Sequence, residues 1–403
     1  MQLLTDWESR VNFDRLRKER KEKVRKGIKE NNLDAILLFK AENLRYLTGY
    51  RPLWWTQCFL TRNAGLMTAD SDPILFPTSG CAERCWVTMD WMPKENIRPL
   101  ATLEDEGIID QVMKDLFVPA FKELGITDGS KVGIDASTML ILEKLKKIFP
   151  KVEFVDGDEC LKNAQLIKTS DEIVLLRQSS HMAMIGMKRA IESIDLGVRE
   201  CEILAEGMHS LYSHGMEVPQ CSLIVTSGEG TAPLRRFASD REIKYGDLVF
   251  LDMGGMFNGY NSDFTRTVIF GEPNEQQKKI YKTVYKMMMA IHETVKPGNT
   301  NVDVTKAVKK VVKDEGFEGK DYLGLIGHSL GVHGLTSPII GEKASIGEKT
   351  FELKPGMVFS LEPGIFIPGT PGGGGVRLED TILVTKDGNE LFTPAPYDKK
   401  LLS

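Results

Sequence analysis

The chain has 403 residues, 41% hydrophobic and 27% charged, the balance of a water-soluble globular protein long enough for two hydrophobic cores. A formal net charge of −5 and a pI near 5.8 argue against nucleic acid or an acidic membrane surface as a partner. No apolar stretch approaches the about 18–20 residues of a membrane span, and the opening MQLLTDWESR lacks a signal peptide's apolar core, so the cytoplasm is the expected compartment.

Residues 13–31 read as an amphipathic helix whose basic side chains are interspersed with glutamates, as on a solvated face, and which stops at Asn31-Asn32. DAILLF is a short buried strand, and AGLMT, DPILF, KVGID and VEFV read as further strands. Helical stretches at 103–124 and 138–149 lie between them. Strands alternating with helices up to about residue 160 predict a self-contained α/β domain. The aromatic group Trp54, Trp55 and Phe59, with Trp86 and Trp91, suits core or a subunit contact better than a ligand box. Six cysteines are scattered along the chain, and only Cys81 and Cys85 are close in sequence. With no second pair or nearby histidine to complete a zinc site, they read as small buried hydrophobes.

The domain boundary is expected near residues 162–170, the domains being taken as 1–160 and 161–403. Thr169-Ser-Asp-Glu172 is a capping-box pattern opening a helix to about residue 194, and a second helix follows over 200–214. His181, His209 and His292 fall on predicted helices without a ligand spacing and read as structural or surface residues. From Ser222 onward the pattern turns to strands and hairpins, interrupted by helices at 274–295 and 302–315. Helix–hairpin followed by helix–hairpin suggests an internal α-β-β duplication.

The chemistry concentrates in this C-terminal part. In GDLVFLDMGGMFNGYNSDFTRTVIFG, an apolar run delivers Asp252, a Gly- and Asn-rich turn follows, and Asp263 leads into a second β-favouring run. This predicts a β-hairpin with a carboxylate at the end of each arm, and such a pair needs a cation between its members. Glu362 ends an apolar run in GMVFSLEPG, and Glu379 opens another in GGVRLEDTILVT, which repeats the arrangement. His328 lies in GLIGHSLGVHG, among glycines that allow close backbone packing. Four carboxylates and one imidazole make a hard, mostly oxygen donor set that suits two divalent ions, Mn²⁺ first and Co²⁺, Fe²⁺ or Zn²⁺ as other candidates. The run at 372–375 reads as a flexible connection, with a lid or substrate contact as the sharper alternative.

The motifs LDMGG, NSDFTRT, GHSLG, SLEPGIF and VRLED resemble those of the creatinase/prolidase/aminopeptidase P superfamily, which also includes methionine aminopeptidase. The resemblance implies an α+β chain. A C-terminal pita-bread domain (161–403), a curved antiparallel sheet flanked by helices with a pseudo-twofold α-β-β repeat, would follow an N-terminal α/β domain of the creatinase/prolidase type (1–160). It further implies that Asp252 chelates one metal, Asp263 and Glu379 bridge the pair, and His328 and Glu362 hold the other. A bridging water would be the nucleophile, Glu362 would shuttle its proton, and Arg377 would lie at the substrate end. The implied assembly is a homodimer in which the N-terminal domain of one subunit helps close the other's site, a role that Trp54 and Trp55 would suit.

Two departures bear on the substrate. Peptidases of this superfamily usually carry a histidine seven residues after the metal histidine, where this chain has Leu335; the nearest, His333, is five residues on. They also carry a histidine upstream of the first hairpin, where TSGEGTAPLRRF places Arg235. Three readings follow: His333 serves by a register shift, Arg235 and Arg236 bind an anionic group, or the arginines are a solvated pair. The first functional reading is therefore a dinuclear metallohydrolase of the Xaa-Pro dipeptidase or aminopeptidase type, acting on short peptides. The alternative is a relative acting on a small non-peptide carboxylated molecule, as creatinase, ectoine hydrolase and dimethylsulfoniopropionate lyase do. GHSLG is nearer the creatinase-type GHSFG, but creatinase works without metal and lacks most of these ligands. A non-catalytic binding scaffold is the third reading, which the complete ligand set opposes.

Overall fold

The computed structural model describes residues 10–53, 57–320, 324–342 and 350–403; Trp54 and Trp55 lie outside the described residues. The chain divides into two compact units at Gln165/Leu166, so a boundary at 160/161 would cut through helix Asp158–Leu166.

The N-terminal unit is built on a five-stranded sheet of order β3-β2-β1-β4-β5, comprising β1 (Ala35–Leu38), β2 (Ala64–Thr68), β3 (Ile74–Phe76), β4 (Lys131–Ile134) and β5 (Glu153–Asp156). The strand β1 is apolar and buried throughout, as its central place demands. It pairs antiparallel with β2 and parallel with β4, so the sheet is mixed. Helix Phe13–Glu30 starts at Asn12, whose side chain accepts from the Arg15 N–H at 2.9 Å. The stretch expected to be helical over 103–124 is helical from Glu106 to Glu123, with a π turn at Met113–Phe117.

Helix Ala41–Thr48, which the sequence pattern did not announce, has no side-chain cap of its own. Asp135, just past the end of β4, supplies one from afar. Its carboxylate accepts from Phe39 N at 2.8 Å, Lys40 N at 3.2 Å and Asn43 Nδ2 at 2.9 Å.

The C-terminal unit has two helix pairs, each packed on an antiparallel sheet. Ser170–Glu192, opened by the Thr169–Glu172 capping box, and Glu200–Ser213 cover β6 (Val218–Ser227), β7 (Leu248–Phe257), β8 (Tyr260–Asn261) and β9 (Thr265–Ile269). Val225, Val249, Leu251 and Met253 form a core with Ala183 and Met187 of the first helix. Strand alternation therefore turns Phe250 and Asp252 to the opposite face.

Helices Glu275–Thr294 and Asn301–Asp314 cover the second sheet, of order β11-β10-β12-β15-β16. Its strands are β10 (Gly327–Ser329), β11 (Thr336–Ile340), β12 (Val358–Leu361), β15 (Asp380–Val384) and β16 (Asn389–Leu391). Between them in sequence lies the hairpin β13 (Gly364–Phe366)–β14 (Gly375–Arg377). Among the described residues, no helix is long and apolar enough to cross a membrane.

Two details differ from the sequence reading. The strand β7 does not end at Asp252. It continues to Phe257, and the reversal is at Asn258 and Gly259, with φ of 47° and 83°. The glycines after Asp252 stay extended because β6 pairs with them, Pro219 with Gly255 and Gln220 with Gly254. The glycine run 372–375 is neither a loose tether nor a lid. A Cβ at 372, 373 or 375 would collide with the carbonyl oxygens of Gly246, Gly228 and Thr231 respectively. Gly372 and Gly373 also take φ of 70° and 99°. The run is a seat into which neighbouring backbone packs, and it leads directly into Arg377.

Candidate metal centre

Four elements deliver the acids. Asp252 stands mid-strand on β7, opposite Ile224 of β6 and Thr265 of β9. Asp263 lies where the chain leaves the ladder between β8 and β9; the Ser262 N–H and hydroxyl fix that break by donating to the Gly255 carbonyl at 3.0 and 3.1 Å. Glu362 follows β12, its N–H donating to the Ile326 carbonyl at 2.6 Å. Glu379 sits between β14 and β15, its N–H donating to the Thr265 carbonyl at 3.1 Å. His328 occupies the middle of β10, between Ile339 and Ser360 on the flanking strands.

These side chains converge. One ligand atom each from Asp263, His328 and Glu379 lies within 4.8 Å of the others, and all three residues are buried. The His328 Nε2 is 3.4 Å from Asp263 Oδ2 and 3.6 Å from Glu362 Oε1. Its Nδ1 lies 3.3 Å from the Ser329 carbonyl, which favours a proton there and a free lone pair on Nε2 facing the acids. Glu379 accepts hydroxyl hydrogen bonds from Ser360 and Thr265, each at 2.6 Å. Arg377 joins Asp252 to Glu362: Nη2 pairs with Asp252 Oδ2, Nη1 lies 2.8 Å from Glu362 Oε2, and the guanidinium stacks 5.2 Å from the Phe250 ring.

The electrostatics show negative charge in excess. Burial pushes Asp252 up to about 7; Arg377 opposes the rise, and Asp263 and Glu362 add to it. Burial raises Glu379 well above the carboxylate range, reinforced by Asp263, Glu362 and Asp252. Burial opposes protonation of His328, but Asp263 and Glu362 outweigh it and raise its pKa. The buried Arg377 is held far above its ordinary value, burial being outweighed by the four acids with Glu362 foremost. One guanidinium and one imidazole do not balance four buried carboxylates. Asp252 Oδ1, moreover, is buried with no hydrogen-bond partner. An orphaned carboxylate oxygen, a hard donor set and an imidazole lone pair facing the acids are what divalent cations require, so the residues present fit them.

Arg235 and His333, two of the residues expected to touch substrate, have partners of their own within the unit. Arg235 pairs with Glu200, a fully buried carboxylate that also accepts from Ser227 N at 2.7 Å, Ser227 Oγ at 2.8 Å, Ser239 N at 3.0 Å and Ser239 Oγ at 2.7 Å. The anion that Arg235 binds is thus internal, while Arg236 beside it is exposed. His333 is half-buried in the turn between β10 and β11, and its carbonyl accepts from the Gly331 N–H at 3.1 Å. Asn261 braces that turn by donating to the carbonyls of Gly331 and Val332 at 3.2 and 2.8 Å. Leu335 is exposed. His292 contacts Asp380 rather than the cluster. Sequence reasoning passed over Thr265, Ser360 and Thr381, although each flanks a quoted acid in NSDFTRT, SLEPGIF or VRLEDT. Alternation puts a hydroxyl two residues from an acid on the same face of the strand, which is the signal that could have found them.

Comparison with known proteins agrees with this geometry. Residues 174–386 match the model of metallopeptidase family M24, and residues 20–167 match that of the creatinase/prolidase N-terminal domain. The Xaa-Pro dipeptidase of Pyrococcus furiosus is 30% identical over 93% of this chain and 98% of its own length. That of Pyrococcus horikoshii is 32% identical over 92% and 97%. Among solved structures, the Xaa-Pro dipeptidase from Bacillus anthracis superposes with a TM-score of 0.79 at 29% identity, covering 94% of this chain and 98% of that one.

Proposed function

From the premise that this chain belongs to metallopeptidase family M24 and is a metallohydrolase with a pita-bread catalytic unit, we propose that it hydrolyses Xaa-Pro peptide bonds at a dinuclear centre. The observation carrying this reading is the buried set Asp252, Asp263, His328, Glu362 and Glu379, whose excess negative charge is offset, among the described residues, by Arg377 and His328. Asp252, Asp263, His328, Glu362 and Glu379 would hold the two ions, Asp252 serving one, His328 Nε2 with Glu362 the other, and Asp263 and Glu379 standing as the acids open to both. Two divalent ions, when bound, polarise the scissile carbonyl and make water a nucleophile near neutral pH. Manganese is the metal we assign, from a donor set of carboxylates with one imidazole. The catalytic unit is the C-terminal one, which begins at Leu166, and the assembly is a homodimer by resemblance of the two-unit layout.

The chain's own groups then do three things. Glu362 would take on Oε1 the proton released by the attacking water and deliver it to the leaving amine nitrogen, while Arg377, 2.8 Å from Oε2, keeps the carboxylate oriented. Arg377 also holds a permanent positive charge beside Asp252, where the substrate end of the centre lies. Burial of the whole set excludes bulk water and strengthens each of these interactions.

The second reading, a small non-peptide carboxylated substrate, rests on the missing imidazole at position 235 and not on Arg235 as an anion binder, since Glu200 already occupies that arginine. Arg235 stands where peptidases of the superfamily carry an imidazole, and its pairing with Glu200 leaves no imidazole at that position. His333 is the residue that would restore one. The experiment is an assay of the manganese-loaded protein on Gly-Pro, Ala-Pro and an Xaa-Pro tripeptide beside small carboxylated amides and sulfonium compounds. Turnover of the Xaa-Pro dipeptides supports the first reading, and the tripeptide separates dipeptidase from aminopeptidase. Turnover confined to the non-peptides would replace the first reading with the second.

A further inference from the structure

Beside the carboxylate cluster, on the other side of the same strands, lies a second buried charged group that none of the roles above uses. Arg266, on β9, is among the largest fully buried side chains. Its Nη1 donates to the main-chain carbonyls of Glu379 at 2.7 Å and Thr265 at 3.0 Å. Its Nη2 donates to Asp380 Oδ1 at 2.8 Å and to the Ala395 carbonyl at 3.0 Å. The guanidinium lies against the rings of Phe264 and Tyr397, at 4.4 and 4.6 Å.

Asp380 is equally engaged. Oδ1 also accepts from Thr393 Oγ1 at 3.2 Å, and Oδ2 accepts from the Tyr397 hydroxyl at 2.7 Å and faces His292 Nε2 at 3.1 Å.

This group reaches the centre through the backbone. Glu379 and Asp380 are consecutive, so their side chains leave the strand in opposite directions, one to the cluster and one to Arg266. The Glu379 main chain is pinned at its N–H by the Thr265 carbonyl and at its carbonyl by Arg266. The main-chain carbonyl of the other shared acid, Asp263, takes the Thr381 hydroxyl at 3.0 Å, one residue beyond Asp380. Both Arg266 Nη atoms and both Asp380 oxygens are engaged, Nε alone lacking a partner; a buried ion pair bonded in this way holds its geometry tightly, and losing one partner leaves an uncompensated charge in the interior. The pair thus fixes where two ligand backbones stand relative to each other.

We propose that Arg266 and Asp380, braced by Tyr397 and His292, are positioning residues of the metal centre, and that the segment 393–397 is part of its frame. This rests on the metal-centre reading above. Ligand geometry set from outside the ligand shell governs metal affinity as well as rate, so the effect is visible without turnover.

The test titrates Mn²⁺ calorimetrically into metal-stripped wild type, Asp380→Asn and Tyr397→Phe, and records the visible spectrum of each after Co²⁺ loading. Asp247→Asn is the control, because it breaks a buried ion pair with Arg241 elsewhere in the same unit. Asp380→Asn is expected to weaken Mn²⁺ binding about 10- to 100-fold and to shift the cobalt bands. Tyr397→Phe, which removes one hydroxyl at nearly constant volume, shifts both in the same direction by less. Asp247→Asn lowers the melting temperature and leaves the affinity unchanged. Unaltered affinity and spectra in Asp380→Asn and Tyr397→Phe would overturn the proposal, as would an equal loss in the control. Should Asp380→Asn fail to fold, Tyr397→Phe decides. Wild type that takes up neither ion defeats the metal-centre reading itself; wild type that binds while the variants match it defeats only the positioning role.

Discussion

Asp135 in the N-terminal unit and Asp252 in the C-terminal unit are both buried carboxylates that burial pushes up, to about 6 and about 7. Asp135 has three N–H donors around it, and they open a helix that lacks its own cap. Asp252 has Arg377 on Oδ2, no full hydrogen bond on Oδ1 although the Thr265 hydroxyl stands near the carboxylate, and other acids of the cluster close by. The first is a completed structural device. The second has donors to spare for a cation. Burial of an acid is therefore poor evidence of function by itself, and the state of its second oxygen is better evidence.

That contrast can be broken most sharply at Glu379. Glu379→Gln removes one of the crowded charges, so metal uptake and turnover should be lost while the metal-stripped chain is not destabilised near neutral pH. The sign of the pH dependence follows from the raised acids. Unfolded carboxylates titrate near about 4. Between there and about 7 the folded, metal-stripped chain keeps protons on Asp252 and Glu379 that the unfolded chain has released. Stability of the stripped chain therefore falls as pH rises through that window. The raised His328 acts in the same direction, since its contribution is present at low pH and lost as it deprotonates. Bound cations reverse the trend, because they compete with those protons. Thermal unfolding across this range should show a falling midpoint for stripped wild type and a shallower fall for Glu379→Gln. Parallel curves would remove the cluster as the source. Asp135 contributes a similar slope to both proteins, so their difference isolates the cluster.

A smaller effect is expected at Asp135. Asp135→Asn keeps one accepting oxygen but turns an NH2 toward the donors on the other side, at a cost of about 1–3 kcal/mol in urea unfolding. Metal uptake should stay at the wild-type level. A neutral Asp135→Asn would mean that its three donors do not hold the helix start, and the contrast with Asp252 would lose its structural half.

Much of this was legible in the chain itself. Thr169-Ser-Asp-Glu172 states a capping box that the structure contains, and the five ligand candidates were marked by apolar runs ending in acids and by glycines around His328. Local pattern could not show how far β7 extends, because Gly254 and Gly255 read as a turn until β6 is known to pair with them. The run 372–375 looks loose in isolation, since glycine's lack of a side chain serves flexibility and close approach alike; only the carbonyls of Gly228, Thr231 and Gly246 decide between them. Arg235 looked available for a ligand because Glu200, its partner, lies on a helix far back in the sequence. The Arg266–Asp380 pair was hidden for the same reason, although both residues stand inside the quoted motifs NSDFTRT and VRLED. Periodicity reports which residues turn inward, not which of them meet.

The central claim, that these five side chains hold a pair of divalent ions, is tested most directly by counting metal. Wild-type protein and Asp263→Ala, each loaded with Mn²⁺ and freed of excess, would be analysed by plasma mass spectrometry against protein concentration. A pair of ions per wild-type chain, with both lost when the shared carboxylate is removed, is the predicted result. Wild type carrying no tightly held ion, or Asp263→Ala retaining the full complement, would contradict it.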